Sequence, residues 1–386
     1  MEIYFDNSAT TRMADEVVSK IDELNKNHYA NPSAMHRAGF LAEEEVKAAT
    51  KVLADIINCE ASELIWTSGG TESNNLAIRG YANCYKKIGN KIITTKIEHP
   101  SVYRVCESLK DEGFEIIYLD VDSEGHISLE DLGNLIDDKV ILVSIMYINN
   151  EVGSKQDIDA IGKLIKEKNK NTAFHVDFVQ GFSKYKIDVK KSKIDFLSIS
   201  SHKFNGPKGV GVLYKNKALR LKPLILGGSQ QNELRAGTLN VPGIVGTAEA
   251  AKLSYNSLSA EFSHLENLKN YLIDELAKLN EKCGIIGVNS KKGEGFAPHI
   301  ISITFKGIRA EVMLHALEEK EIYVSAGSAC STHDKRTSNT LISIGLKKEL
   351  AESTIRVSLG RYNEKNEIDK FILTLGELIP KLNIRR

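Results

Sequence analysis

The chain has 386 residues, of which 42% are apolar and 26% are charged; these values are typical of a globular protein and exclude a disordered, collagen-like or coiled-coil chain. Basic and acidic residues number 51 each, and this zero net charge argues against broad, sequence-independent binding of nucleic acid. The five cysteines are widely spaced, and there is neither a signal peptide nor an apolar run near the ~20 residues that span a bilayer, so we expect a cytoplasmic protein in a reducing compartment.

The first two-thirds of the chain alternates short apolar runs with segments of helical periodicity. Strands are predicted at 64–67, 91–95, 115–119, 140–148, 173–177, 195–200 and 211–214. Apolar residues at helical spacing predict helices at 42–57 and 157–168. Most of the strands are apolar throughout, which is typical of strands covered on both faces, and their alternation with helices predicts a doubly wound, mostly parallel α/β sheet.

The pattern changes near Asn256, where leucines at helical spacing begin a long amphipathic helix. A strand is predicted after it at 300–305, and further helices at 311–321 and 367–378. We therefore expect two units: a large α/β domain at 15–255, and a smaller α+β domain made of 1–14 and 256–386.

The first candidate site follows the strand at 64–67, where Ser68-Gly69-Gly70 leads into a helix expected to begin at the hydroxyl residue Thr71. The N-terminus of a helix presents free N–H groups and the positive end of the dipole, so a phosphate is the natural ligand. The segment matches neither the P-loop nor the dinucleotide-binding fingerprint. The alternative is a plain strand-to-helix turn capped by Thr71.

Two more candidates follow later strands. Asp177 and Gln180 lie at the end of the strand at 173–177, on the edge where open α/β sheets bind ligands. Lys203 follows the strand at 195–200, and a partly desolvated lysine beside other cations becomes a nucleophile. Each residue alone has an ordinary alternative, a cap for Asp177 and a solvated loop lysine for Lys203. Together, an anion site, an acid and an amine are the three groups that pyridoxal phosphate requires.

Short motifs also occur in order along the whole chain. They are Tyr4 to Thr11, Asn31-Pro32-Ser33 with His36 and Gly39, Gly69 to Asn75, Glu98-His99-Pro100-Ser101-Val102, Asn149-Asn150-Glu151-Val152-Gly153, Asp177 with Gln180-Gly181, Ser200 with His202-Lys203, Arg235-Ala236-Gly237-Thr238, Gly327-Ser328-Ala329-Cys330, and Arg356 with Ser358-Leu359-Gly360-Arg361. By these motifs the chain resembles the NifS/IscS-type cysteine desulfurases of the class-V aminotransferase superfamily, which are pyridoxal-phosphate enzymes of fold type I. The resemblance implies a seven-stranded, mostly parallel sheet flanked by helices in the large domain.

The resemblance implies roles around the cofactor ring. Lys203 would bind the cofactor covalently and later move the Cα proton of the substrate. Asp177 would pair with the pyridine nitrogen, and Gln180 would contact the ring hydroxyl. His99 would stack on the ring face and assist proton transfer. The alternative for His99 is a histidine that only caps a helix.

The resemblance implies further roles for the cofactor phosphate and the substrate. The phosphate ligands would be Thr71, Ser200, His202 and, from the other subunit of a homodimer, Thr238. Asn150 and Arg356 would hold the carboxylate of L-cysteine, a task that suits the planar guanidinium group. The alternative for His202 is a packed histidine without a ligand.

Cys330 decides which reaction the resemblance implies. The small and polar residues around it predict a mobile surface loop. L-Cysteine would be converted to L-alanine, with the sulfur transferred to Cys330 as a persulfide. The small domain would carry this cysteine, and no metal site is expected. The remaining cysteines are interpreted as structural or incidental: Cys59, Cys84, Cys106 and Cys283.

The acceptor of the sulfur and the exact reaction stay open. Two acceptors are expected as alternatives: an iron–sulfur scaffold protein or a tRNA-thiolation enzyme. Longer relatives carry a further C-terminal segment that helps to dock the iron–sulfur scaffold. Position 236 is Ala where many relatives have Ser, and we expect little effect from this. The alternative activities are a selenocysteine lyase or another aminotransferase or lyase of the same fold, and the alternative outside enzymology is a sulfur carrier.

Overall fold

The structure is a computed structural model that describes residues 2–326 and 337–383. Its strands are β1 (Ile3–Tyr4), β2 (Leu64–Thr67), β3 (Lys91–Thr95), β4 (Glu115–Leu119), β5 (Val140–Met146), β6 (Ala173–Asp177), β7 (Phe196–Ser200), β8 (Gly211–Lys215), β9 (Ile286–Val288), β10 (Ile300–Phe305), β11 (Ile322–Tyr323), β12 (Ser325–Ala326) and β13 (Thr354–Ser358). Its α-helices are α1 (Asp15–Asn27), α2 (Arg37–Ile57), α3 (Gly70–Tyr85), α4 (Pro100–Lys110), α5 (Leu129–Leu135), α6 (Ile158–Lys168), α7 (Val241–Asn256), α8 (Leu258–Cys283), α9 (Ala310–Glu318), α10 (Asn339–Ser343), α11 (Lys348–Ala351) and α12 (Lys365–Leu382). Nowhere in these two ranges is a helix both long enough and apolar enough to cross a bilayer.

Seven strands form the central sheet in the order β2-β8-β7-β6-β5-β3-β4. Strand β8 runs antiparallel to both of its neighbours, and all other pairs are parallel. Every residue of β5 is buried, because helices cover both faces of the sheet. The predicted seven-stranded, mostly parallel α/β fold is confirmed.

Adjacent side chains of one strand pack into different helix layers, because they point to opposite faces of the sheet. Trp66 of β2 packs in the apolar cluster that includes α2, α6 and α7. Its neighbour Ile65 packs in the cluster that includes α3 and α4. The sheet is therefore the middle of three layers, and its strand ends are the part left open for a site.

The last third of the chain forms a four-stranded antiparallel sheet, in the order β12-β13-β10-β9, packed with α8, α9 and α12. Ile3 and Phe5 belong to the same apolar cluster, and the ring of Phe5 meets that of Phe371 edge-on with centroids 5.7 Å apart. Strand β1 also pairs with β11. The N-terminal residues thus pack with the C-terminal third, and the division into 15–255 against 1–14 and 256–386 stays a prediction.

Several predicted boundaries are wrong by a few residues because local hydrogen bonds determine the ends. Helix α2 begins before the predicted start, since the His36 ring accepts a hydrogen bond from the Gly39 N–H. Helix α12 also begins earlier, since Glu364 and Glu367 form a capping box. Helix α9 ends before its predicted end, and Glu321 takes a left-handed φ of 59°. Strand β5 ends two residues before its predicted end.

Candidate active site

A cavity of about 540 Å³ lies at the carboxyl ends of β5, β6 and β7, and the last residue of each strand lines it: Met146, Asp177 and Ser200. The N-terminal segment 8–10 and Arg356 of β13 also line it. The cavity brings together nine of the eleven predicted site residues, namely Thr71, His99, Asn150, Asp177, Gln180, Ser200, His202, Lys203 and Arg356. A larger cavity of about 1030 Å³, lined by residues of α2, α6 and the segment 186–192, contains none of them.

One end of the cavity is a cradle of backbone at the start of α3. Gly69 has a φ of 155°, a conformation that other residues rarely adopt. A Cβ on Gly70 would lie 2.8 Å from Val179 Cγ2 and 3.4 Å from Ser200 Cβ, so the close approach of these elements requires glycine. The helix begins at Gly70, and the expected start and cap at Thr71 are wrong, because Gly69 takes the N-cap position. The first N–H groups of α3 therefore adjoin the cavity without a side-chain cap.

His202 lies beside this cradle as a neutral ring. Its Nδ1 lies 3.1 Å from Thr10 Oγ1. Burial and, to a smaller extent, the charges of Lys203 and Lys208 lower the pKa of His202 to about 4. At neutral pH the ring can therefore offer an anion a hydrogen bond but not a positive charge.

Asp177 is held in place by hydrogen bonds to both of its oxygens. Oδ1 accepts from the Val179 N–H at 3.0 Å, and Oδ2 accepts from Asn74 Nδ2 at 2.8 Å. Asn74 Nδ2 also donates to Ser101 Oγ at 2.8 Å. The carboxylate is buried and its orientation is fixed. Asn74 was not among the residues predicted for the site. Its position in the first turns of α3, directly after the glycines, is the signal that could have identified it.

His99 joins the same network and also caps a helix. Its Nδ1 accepts from the backbone N–H of Ser101 at 3.1 Å and lies 2.8 Å from Ser101 Oγ, so the capping alternative is correct for this nitrogen. The other ring nitrogen, Nε2, then carries the proton. The His99 ring lines the cavity, but the protein packed around it desolvates the ring and thereby lowers its pKa. The nearby Asp177 carboxylate raises the pKa of His99, and the charge of Lys203 lowers it.

The side chain of Lys203 is held by the N-terminal segment. Its Nζ donates to the Ser8 carbonyl at 2.5 Å and to the Ala9 carbonyl at 2.9 Å. Gln180 Nε2 donates to the same Ser8 carbonyl at 3.0 Å. The chain's first residues are therefore part of the cavity wall, a contact that sequence reasoning missed because backbone carbonyls have no sequence signature.

Arg356 is a buried cation with part of its guanidinium free. Nη2 donates to Asp6 Oδ1 at 2.7 Å, and Nη1 donates to the Asn150 carbonyl at 2.8 Å. Its Nε is buried and has no hydrogen-bond partner among the described residues. Because Arg356 lines the cavity and a guanidinium binds carboxylates well, the residue is suited to an anionic ligand. The sequence did not predict that Asp6 orients this arginine.

Two predicted residues and the other cysteines lie elsewhere. Thr238 is exposed before α7 and does not line the cavity of its own chain. Cys330 lies outside the described residues. Burial raises the pKa of the Cys59 and Cys106 thiols to about 12, which disfavours their thiolates, whereas Cys84 is exposed.

Comparison with known proteins decides the family. The model of the class-V aminotransferase family matches residues 3–371. The chain belongs to the class-V aminotransferase family. It is 39% identical over 380 residues to "Cysteine desulfurase IscS" of Methanosarcina thermophila, covering 98% of this chain and 92% of that one. It is 40% identical over 382 residues to "Putative cysteine desulfurase IscS 1" of Bacillus subtilis (strain 168), covering 98% of this chain and 99% of that one.

Solved structures agree with this family. A NifS-like protein superposes with a TM-score of 0.93 at 37% identity, over 99% of this chain and all of the other. SspA in complex with cysteine superposes with a TM-score of 0.80 at 33% identity, over 94% of this chain and all of the other. The resemblance to NifS/IscS-type proteins stated from the motifs is confirmed.

Proposed function

We propose that the protein is a cysteine desulfurase that uses pyridoxal phosphate to convert L-cysteine to L-alanine, with Cys330 as the residue that receives the sulfur. The observation that carries the proposal is the meeting of Asp177, Lys203 and Arg356 in one cavity at the strand ends. This arrangement occurs in a chain that is about 40% identical, over nearly its whole length, to proteins named cysteine desulfurase.

The residues of the cavity fit pyridoxal phosphate. The start of α3, which has no side-chain cap and adjoins the cavity, suits a phosphate. Asp177 is a buried carboxylate suited to a protonated ring nitrogen, and Lys203 is an amine suited to an aldehyde. The guanidinium of Arg356, a residue that lines the cavity, suits the carboxylate of an amino acid.

Pyridoxal phosphate, when bound, supplies an electron-withdrawing ring that stabilises negative charge at the substrate Cα. Asp177 would hold a proton on the ring nitrogen of the bound cofactor, and it is itself held by Asn74 and the Val179 N–H. Lys203 Nζ accepts and returns the Cα proton. His99, with its proton on Nε2, has one N–H to donate to a ligand in the cavity that it lines. Arg356 fixes the substrate carboxylate.

Cys330 then takes the sulfur. Its thiolate bonds to the substrate sulfur while the Cβ–S bond breaks, and the bonding electrons stay with Cβ, which gains a proton. L-Cysteine and a thiol thus give L-alanine and a persulfide, with no external oxidant or reductant. The terminal sulfur of the persulfide is then transferred to an acceptor protein, either an iron–sulfur scaffold or a tRNA-thiolation enzyme.

The test incubates the purified protein, loaded with pyridoxal phosphate, with L-cysteine. We expect alanine as the product and a persulfide that peptide mass mapping assigns to Cys330. Cys330→Ser is expected to keep the bound cofactor and lose sulfur transfer, whereas Cys84→Ser, which changes an exposed cysteine, retains it. A keto acid as product, or native turnover by Cys330→Ser, contradicts the proposal.

The role of Lys203 is tested by borohydride reduction of the loaded protein. The reduced cofactor is expected on the peptide that contains Lys203 in the parent chain and in the control Lys222→Ala, which changes an exposed lysine. Lys203→Ala is expected to carry none. Attachment at another lysine in the parent chain contradicts this role.

We also propose a homodimer in which Thr238 completes the phosphate site of the partner subunit. The chain presents large apolar side chains to solvent, among them Met35 and Leu226, at 104% and 81% exposure, and a second subunit would cover such surface. Mixing Lys203→Ala with Thr238→Glu tests this. If Thr238 acts across the dimer, mixed dimers contain one intact site and activity rises above that of either variant; no rise contradicts the proposal.

A further inference from the structure

His299 lies behind the candidate active site and contacts one of its residues. It precedes β10 directly, and its backbone carbonyl accepts from the Leu359 N–H at 2.8 Å. Its side chain is 3% exposed, and Nε2 lies 3.4 Å from Gln180 Oε1. Gln180 lines the cavity, whereas His299 does not. No step of the proposed reaction involves His299.

The surroundings of His299 determine its protonation. Its Nδ1 has no hydrogen-bond partner among the described residues. Burial holds the pKa of His299 well below its usual range, and the charges of Lys184, Lys269, Arg356 and Lys203 lower it further. The ring is therefore neutral and has a single N–H. That N–H lies on Nε2, because an amide oxygen is there to accept it.

Two contacts together orient the Gln180 amide: the Ser8 carbonyl, which can only accept, lies at its nitrogen, and the N–H of His299 lies at its oxygen. When Oε1 accepts from His299, the NH2 group of Gln180 must lie on the opposite side. There it donates to the Ser8 carbonyl at 3.0 Å, and the same carbonyl accepts from Lys203 Nζ. One N–H of Gln180 is thus directed to Ser8, which lines the cavity with Gln180, and the amide has a second N–H to offer to a ligand. A flipped amide would bring its oxygen against the Ser8 carbonyl oxygen and leave the His299 N–H without an acceptor.

We propose that His299 is a positioning residue that fixes the Gln180 amide with its NH2 group towards the cavity, where it donates to the ring oxygen of the cofactor. The inference rests on the proposed function, because it requires pyridoxal phosphate in this cavity. A donor beside the ring oxygen stabilises its anionic form. His299 thereby sets the pH at which the bound cofactor changes its protonation, without touching the cofactor.

The experiment follows the visible absorption of the bound cofactor as a function of pH. In His299→Leu the midpoint of this titration is expected to shift upward by about one pH unit, because one hydrogen bond to a charged group is worth about 1.5 kcal/mol. His299→Gln retains an N–H donor and is expected to return the midpoint towards that of the parent protein. His126→Leu is the matched control: His126 is a half-buried histidine outside the cavity, bonded to the Gly295 carbonyl, and its loss leaves the midpoint unchanged.

A double variant separates positioning from a general effect on the fold. Gln180→Leu is expected to shift the midpoint in the same direction, and adding His299→Leu to it is expected to shift it no further, because the two residues act through one contact. Additive shifts, or an unchanged midpoint in His299→Leu, overturn the inference. If the leucine variant does not fold, His299→Met supplies the same comparison.

The outcome also distinguishes this inference from the proposed function. Failure of the parent protein to acquire a visible band with pyridoxal phosphate overturns both. A normal band and normal alanine formation in the parent, with an unshifted midpoint in His299→Leu, overturn only the role of His299.

Discussion

Glu98 is a buried carboxyl group whose ionisation opposes folding. Its Oε1 accepts from the Met146 N–H at 2.9 Å and from Thr95 Oγ1 at 2.7 Å, whereas Oε2 is buried without a partner among the described residues. Burial, with a smaller contribution from the charge of Asp177, raises the pKa of Glu98 from 4.5 to about 8, although the hydrogen bonds from Met146 and Thr95 oppose this. The group is therefore predominantly protonated in the folded protein at pH 7, and ionised in the unfolded chain.

The sign of the pH effect follows from where the proton is held. Since the folded state keeps a proton that the unfolded chain releases, the contribution of Glu98 to stability falls as pH rises from its unfolded pKa towards its folded one. Between about pH 5 and about pH 8 this decrease amounts to about 3 kcal/mol. Glu98→Gln keeps the oxygen that Met146 and Thr95 bind and removes the ionisation. The free energy of unfolding of the variant is therefore expected not to show this decrease with rising pH.

Urea unfolding of the parent protein and of Glu98→Gln, over the same pH range, measures the effect. The free energy of unfolding of the variant, relative to the parent, is expected to rise by about 3 kcal/mol from the acid to the alkaline end. Glu16→Gln, which changes an exposed glutamate of α1, is the control and is expected to follow the parent. Parallel curves for the parent and Glu98→Gln would refute the assignment of a buried neutral acid.

Two further predictions concern a glycine with no room for a side chain and a buried lysine. Gly70→Ala is expected to weaken cofactor binding at least about tenfold and to destabilise the fold by about 1–3 kcal/mol, because its Cβ would lie 2.8 Å from Val179 Cγ2. Cofactor titration measures this, and Val179→Ala in the same chain is expected to restore part of the binding. Burial lowers the pKa of Lys269 to about 7, so the parent gains stability from this lysine as pH rises from about 7 to about 9. Lys269→Met is expected to lose that gain in urea unfolding, and an unchanged slope contradicts the assignment.

The large sheet could be predicted because its strands carry their own signal. Every residue of β5 except Ser144 is apolar, and such a continuous run separates a buried strand from an amphipathic helix even in a single sequence. Their ends were less predictable, since contacts such as the His36 cap on Gly39 depend on side-chain geometry. The position of Asp177 at a sheet edge followed from topology alone.

The rest of the site depends on contacts between distant parts of the chain. Asn74 reaches Asp177 across 103 positions, and Arg356 reaches Asp6 across 350. Such pairs leave no periodic pattern, so only the folded backbone brings them together. The wrong prediction of a helix cap at Thr71 has a local cause. The hydroxyl group of Thr71 suits an N-cap, but Gly69, with a φ of 155°, takes that position two residues earlier.

The joining of both chain ends has a consequence for biosynthesis. Ser8 N–H donates to Ser358 Oγ at 2.9 Å, and Asp6 holds Arg356, so the wall that supports Lys203 depends on β13. A ribosome that has synthesised the whole seven-stranded sheet has not yet supplied that strand. The nascent chain therefore exposes an incomplete binding site until β13 has been synthesised, and a product truncated before β13 lacks the partners that hold Asp6 and Ser8.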